Sequence, residues 1–129
     1  MKRICYEAGR IIYWLLCLFL IGNILLCVTG IRPYAVISGS MEPAIATGSV
    51  SWVWFFRGTD HLQEKDILAF ERSDGEIVLH RIVKITEEGI VTKGDANDTV
   101  DPAMVKEQQI RGKVLFSIPY IGKLFHKTE

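Results

Sequence analysis

Two hydrophobic patterns divide the chain. Residues 11–31, IIYWLLCLFLIGNILLCVTGI, contain no charged residue. A helix that crosses about 30 Å of hydrocarbon needs ~20 such residues, so the run predicts one transmembrane α-helix. Asn23 is its only strongly polar side chain, and a single neutral amide is tolerable there. The run exceeds the ~7–15 residues of a cleaved signal-peptide core, and no small-x-small cleavage site directly follows it. It is therefore expected to stay as an anchor. Beyond it, short groups rich in Val, Ile, Phe and Trp alternate with Gly and Pro. That pattern reads as strands, expected at 34–36, 50–56, 66–70, 77–85, 89–92 and 109–117. Asp74-Gly75 between two of them predicts a hairpin, and Glu88-Gly89 another turn. A short helical turn is expected after Pro102, over 103–109. The fold class is mostly β: a small antiparallel β-domain preceded by one N-terminal transmembrane helix.

Charge sets an orientation. Lys2, Arg3 and Arg10 precede the apolar run, whereas only Arg32 closely follows it. The positive-inside bias puts the N-terminus in the cytoplasm. The expected division is a cytoplasmic tail at 1–10, an anchor at 11–31 and an extracytoplasmic β-domain at 32–129. The localisation is a cell membrane, crossed once. The formal net charge of zero offers no general pull on nucleic acid,. Cys5, Cys17 and Cys27 all lie in the tail or anchor, so the exported part must be stable without disulfides.

Chemistry concentrates in three stretches. The first is Ser38-Gly39-Ser40-Met41-Glu42-Pro43. Pro43 biases Glu42 away from the α-region, so the chain does not pass from strand into helix at Ser40, and the stretch lacks the Gly-x-Ser-x-Gly elbow. Gly39 lets the backbone approach a ligand closely. If Ser38 and Ser40 face one cleft, Ser40 can attack a carbonyl. Its own N–H and the Ser38 hydroxyl can then hold the oxyanion. A plain Ser/Gly turn is the competing reading.

A serine hydroxyl needs a base. A lysine must be strongly desolvated to serve, whereas a histidine needs little tuning. His126 lies near the chain end and His61 in a charged, loop-like stretch. His80 sits mid-strand in Val78-Leu79-His80-Arg81-Ile82-Val83, where neighbours can fix it. Position favours His80, against the alternative of an ordinary strand histidine. Lys84, an even number of residues on, is expected on the same strand face and is a weaker alternative base.

The third stretch is the acidic loop from Thr92 to Pro102, TKGDANDTVDP. An EF-hand needs Gly at its sixth place and Glu at its twelfth. Val100 and Lys106 occupy those places, so that reading fails. Asn97-Asp98-Thr99 is an Asn-x-Thr sequon that matters only in a glycosylating host. The loop can instead supply a carboxylate to a catalytic histidine.

These stretches together resemble the type I signal peptidases. S-G-S-M-E-P resembles their nucleophile box, with Ser40 as the serine. L-H-R-I-V resembles the box of the Ser–His branch, which includes the endoplasmic-reticulum, archaeal and some Gram-positive enzymes. In the main bacterial branch a lysine stands where His80 does. T-K-G-D-A-N resembles a third box, with Ala96 replacing an Asn. E-K-D-I-L-A-F at 64–70 resembles a fourth, with Lys65 replacing a Gly. R-G-K-V at 111–114 and I-P-Y-I-G at 118–122 resemble the closing strand. Many relatives carry a second membrane helix at the C-terminus, and the last apolar stretch here is too short to span.

The resemblance implies a membrane-bound serine endopeptidase that removes N-terminal signal peptides from exported preproteins, with small residues at −1 and −3. It implies Ser40 as nucleophile, His80 as general base and Asp101 as the acid that orients His80. Asp95 would buttress the site through backbone or Arg81, and Asp98 is a third candidate acid. Ser38, Gly39 and Ser40 would bind substrate and the oxyanion. No metal or organic cofactor is implied. The partners are preproteins with signal peptides and the lipid bilayer. The alternative is a non-catalytic, membrane-anchored β-module that binds exported peptides by strand addition. Trp52, Trp54, Phe55 and Phe56 form either a packed strand or, through Trp54 or Phe56, an interfacial belt.

Overall fold

The computed structural model describes residues 2–119. It divides into two compact units, one up to Ile31 and one from Arg32 onward. The first is helix α1, Lys2–Val28. Within it, Tyr6–Val28 is long and apolar enough to cross a membrane, by length and composition. Leu15, Phe19 and Ile24 are all exposed, as in a helix that is apolar all round. The Asn23 amide donates to the Phe19 carbonyl at 2.8 Å, which satisfies one donor without water. The helix runs back into the charged residues expected as a tail. It stops three residues short of the expected end because Gly30 takes a φ of 81°. Thr29 N–H donates to Leu25 O and Gly30 N–H to Cys27 O there, closing the last turn.

The strands are β1 (Ile31–Ala35), which begins at the boundary residue and is otherwise in the second unit, and, within that unit, β2 (Val50–Phe55), β3 (Ile67–Glu71), β4 (Ile77–Thr86), β5 (Gly89–Lys93) and β6 (Ile110–Ile118). They form one six-stranded sheet in the order β1-β2-β6-β3-β4-β5. The β2/β6, β6/β3, β3/β4 and β4/β5 pairings are antiparallel. The mostly-β expectation holds, and the Asp74-Gly75 hairpin joins β3 to β4.

One element differs. A 3-10 turn covers only Glu107–Gln109, where a helical turn over 103–109 was expected. Val105 is extended instead, because it bridges Ile90 and both side chains are 2% exposed. Burying that apolar pair at about 1.5–3 kcal/mol per side chain outweighs the weak helical preference of a short segment.

The sheet has apolar packing on both faces. Leu68 and Phe70 of β3 join Ile82, Ile90 and Ile110 in one cluster, while Ala69 joins Val36, Met41, Ile45, Val53 and Leu79 in another. This explains why β3 is a continuous apolar run rather than an alternating one: it lies between β6 and β4, with both faces covered. In β4 a bulge falls between Ile82 and Lys84. Ile82 and Ile85, three apart, pack against the same cluster, so the alternation changes hand there. Lys84 therefore leaves the face of His80, and the equal-face expectation is overturned.

Candidate active site

Ser40 sits on a tight loop between β1 and β2. Val36 donates to Ser49 O at 2.9 Å and accepts from Gly48 N–H at 2.8 Å, tying the loop's ends together. Within it Glu42 N–H donates to Gly39 O and Ile45 N–H to Met41 O. No helix begins, in keeping with Pro43. Met41 and Ile45 are 1% and 2% exposed. They peg the turn into the core while the neighbouring Ser40 stays at the surface of the cleft. Glu42 Oε1 accepts from Thr47 N–H at 3.1 Å and from Thr47 Oγ1 at 2.8 Å, which braces the loop a second time.

His80 lies on β4 opposite Leu68. The Phe70 ring meets its imidazole edge-on at 6.1 Å. His80 Nε2 is 3.1 Å from Ser40 Oγ, and His80 Nδ1 is 2.6 Å from Asp101 Oδ2. The His80 and Asp101 side chains are 12% and 17% exposed, so the line is largely shielded from water. An ionised carboxylate only accepts. Nδ1 must then carry the ring proton, and Nε2 presents its lone pair to the serine hydroxyl. Ser38 Oγ lies 3.3 Å from Ser40 Oγ.

The loop after β5 assembles the remainder. Ala96 N–H donates to Ser40 O at 2.9 Å, and Asp101 N–H to Thr92 O at 2.8 Å. Gly94 passes so close that an added Cβ would stand 2.6 Å from Ser40 O and 2.7 Å from Asn97 Nδ2. Asp95 binds Arg81 through two contacts, Nε–Oδ1 at 2.8 Å and Nη2–Oδ2 at 2.5 Å. The guanidinium holds the Asp95 carboxyl below its ordinary 3.8, against a smaller opposing effect of burial, and Asp95 in turn raises Arg81. Arg81 Nη1 also donates to Lys65 O at 2.8 Å.

The structure thus brings together Ser38, Ser40, His80 and Asp101. Asp95 sits one contact away, on Arg81, and Asp98 is exposed. His61 is also exposed, against the rings of Trp54 and Phe56 at 5.1 and 5.4 Å. His126 lies outside the described residues. The acids of the loop engage His80 and Arg81 rather than a common centre, and among the described residues no group of three His, Cys, Asp or Glu could hold a metal. Sequence reasoning missed three ties: Thr92 Oγ1 to Asp101 Oδ2 at 2.6 Å, Ala96 N–H to Ser40 O, and the Glu42–Thr47 brace. The last two depend on loop geometry, and no spacing rule announces them.

A cleft of about 290 Å³ runs away from Ser40 and His80. One wall is residues 34–38 and the other is residues 76–80. Because Val36 spends its N–H on Ser49 and its C=O on Gly48, the trans peptides on either side turn the Ala35 C=O and the Ile37 N–H the opposite way.

A hydroxyl, an imidazole and a carboxylate in one hydrogen-bonded line, on a rigid sheet, is the arrangement that serine hydrolases use. Sequence comparison narrows this class. The chain is 38% identical over 90 residues to Signal peptidase I W of Bacillus subtilis, covering 66% of this chain and 47% of that protein. It is 32% identical over 100 residues to the signal peptidase complex catalytic subunit SEC11C of Homo sapiens, covering 67% of this chain and 52% of that protein. It is 32% identical over 102 residues to the SEC11 catalytic subunit of Verticillium alfalfae, covering 67% and 58%. No family model matches. The chain belongs to the signal peptidase family. It spans about half the length of the curated relatives it matches.

Proposed function

We propose that this chain is a membrane-anchored serine endopeptidase that removes signal peptides from exported preproteins. The observation that carries this reading is the unbroken Ser40–His80–Asp101 line, with contacts of 3.1 and 2.6 Å. In this reading α1 anchors the enzyme with its N-terminus in the cytoplasm, and the β-domain works on the opposite side. The substrate lies extended in the cleft and pairs with the outward backbone groups of Ala35 and Ile37. Small residues at −1 and −3 fit between the two walls.

Ser40 Oγ attacks the carbonyl carbon at −1 as its proton passes to His80 Nε2. Asp101 stabilises the imidazolium through Nδ1–H. The Ser40 N–H and the Ser38 hydroxyl hold the oxyanion, each worth about 2.7–4 kcal/mol in a role of this kind. The C–N bond breaks as Nε2–H protonates the leaving amine, and the signal peptide remains as an ester on Ser40. His80 then takes a proton from water, which attacks the ester. The peptide leaves with a new carboxyl terminus and Ser40 regains its proton. Asp95 supports this line from outside it by fixing Arg81, the residue next to His80.

The test is incubation of the purified chain, reconstituted in vesicles, with a preprotein, followed by mass spectrometry of both products. One cut is expected, after a small residue at −1. Replacing that residue with Phe should suppress it at least about tenfold. Intact preprotein in both cases, with activity restored by no added membrane fraction, would count against the reading.

A further inference from the structure

Thr92 takes no part in the mechanism above, yet it is fully buried and its hydroxyl reaches the same carboxylate oxygen that His80 uses. Thr92 is 0% exposed. It lies on β5 opposite Ile82 of β4, one residue along from the His80–Arg81 pair. Its Oγ1 donates to Asp101 Oδ2 at 2.6 Å, and His80 Nδ1 donates to that same oxygen at 2.6 Å. Its carbonyl accepts from the Asp101 N–H at 2.8 Å. One strand residue therefore holds Asp101 at both ends, by main chain and by side chain.

Building on the function proposed above, we infer that Thr92 is a positioning residue for the proton relay: its hydroxyl fixes the Asp101 carboxylate and shares its negative charge, and so sets how strongly that carboxylate acts on His80. Two facts separate this from simple packing. An aliphatic side chain of the same shape, such as valine, would fill the space and suit a strand as well. A buried hydroxyl is retained at a cost unless it bonds, and here its bond falls on an oxygen of the relay. Sharing has a predictable sign. A carboxylate that loses a donor holds its charge more tightly on the one remaining, so the His80 imidazolium becomes more stable. Other charged groups surround this point. From β4 and the loop come Arg81 and Asp95, which neutralise each other. Lys93 of β5 acts on Asp95. On the serine loop Glu42 is bonded to Thr47. From β3 the Phe70 ring presents no charge. Asp101 is thus the anion bonded to the imidazole, and Thr92 is the group that bonds to Asp101 from the far side.

The test compares Thr92→Val, which keeps shape and strand preference, with Thr92→Ser, which keeps the hydroxyl. Both are made in the full chain in detergent or vesicles. Thr92→Val should lower kcat about 10–100-fold with KM within twofold, and should move the acid limb of the kcat profile upward by about half a pH unit. Thr92→Ser should stay within about threefold of wild type with its limb unmoved. Proton NMR of the His80 Nδ1–H, and titration of the imidazole without substrate, give a second reading that needs no turnover. There too the midpoint should rise in Thr92→Val alone. An unmoved midpoint in Thr92→Val, or equal losses in the Val and Ser variants, overturns the inference. If wild type fails to cleave while the midpoint still moves, the proposed function fails and the role of Thr92 stands.

Discussion

At the scale of single residues, the site depends on a few contacts with clear signs. Asp95 is the first. Its carboxyl lies below its ordinary value because Arg81 bonds it. A group depressed in this way contributes stability that is complete above its unfolded value and is lost as pH falls through its folded value. Arg81 is about a third exposed, so screening by water limits the pair to roughly 0.5–1 kcal/mol at neutral pH, declining as pH falls below 3.8, the ordinary value. Thermal melting of wild type and Asp95→Asn across pH 2–7 checks this. The two curves should be separated at neutral pH and converge in acid, and a constant gap would refute the assignment. Gly94 is the second. An Ala there puts a methyl group 2.6 Å from Ser40 O, in contact with backbone that cannot rotate away. Gly94→Ala should cut processing more than about tenfold by shifting Ser40 from His80, with far-UV circular dichroism unchanged. Wild-type rates in that variant would show that the close approach does not matter.

Much of this scale was legible. Ser40 and His80 stand out because each is the residue type its chemistry needs, in a context that can fix it. The choice among Asp95, Asp98 and Asp101 came from family likeness. Spacing within a loop cannot say which side chain turns inward, and only the fold puts Asp101 on His80 and Asp95 on Arg81. Lys84 failed for a physical reason. Alternation holds only in an unbroken ladder, and the bulge after Ile82 leaves no sequence mark.

At the scale of elements, β-propensity and turn residues located the strands to within a few residues, since runs of Val and Ile between Gly-containing turns have few other uses. The helical turn expected after Pro102 gives way to extended backbone because Val105 finds a partner, Ile90, that lies 15 positions earlier in the sequence. Local pattern holds no trace of that pairing. Lys65 offers a test at this scale. It has a φ of 76° and is the sole non-glycine residue with positive φ among the described residues. The related family pattern has glycine at this place, which the backbone now explains. Both neighbouring bonds use main-chain atoms, Lys65 N–H to Ile82 O and Arg81 Nη1 to Lys65 O, so they survive substitution. Lys65→Gly should stabilise the protein by about 0.5–1 kcal/mol, the left-handed penalty less the added freedom of the unfolded chain. Urea unfolding should show a higher midpoint with unchanged slope. A lower midpoint would mean that the Lys65 side chain supplies more than the strain costs.

At the scale of the whole molecule, strand order was the least legible feature. The last strand, β6, inserts between β2 and β3, and such long-range pairing is written in no local window. It matters because β6 braces β3, which in turn holds β4 and His80 in register. Ion pairs from Arg111 to Glu71 and from Lys113 to Asp66 reinforce that seam. The aromatic cluster also divides differently from its sequence reading. Trp54 and Phe56 pack with His61, while Trp52 stacks on Phe116 at 5.0 Å, and Phe116 is half exposed. The proposed topology has a direct consequence. Protease added outside intact spheroplasts should remove the β-domain and leave an anchor fragment ending soon after residue 31. Full protection until the membrane is permeabilised would reverse the orientation.

The proposed mechanism depends above all on Ser40 being a nucleophile activated by His80. Its most direct measurement is the cleavage rate of a purified preprotein by the reconstituted chain, as wild type, Ser40→Ala, His80→Ala and the double variant. Each single change should lower the rate by at least about 10⁴-fold, and the double variant should be scarcely slower than either, because the two groups act as one unit. Processing that survives in Ser40→Ala, or losses that simply multiply in the double variant, would rule out a Ser40 nucleophile activated by His80.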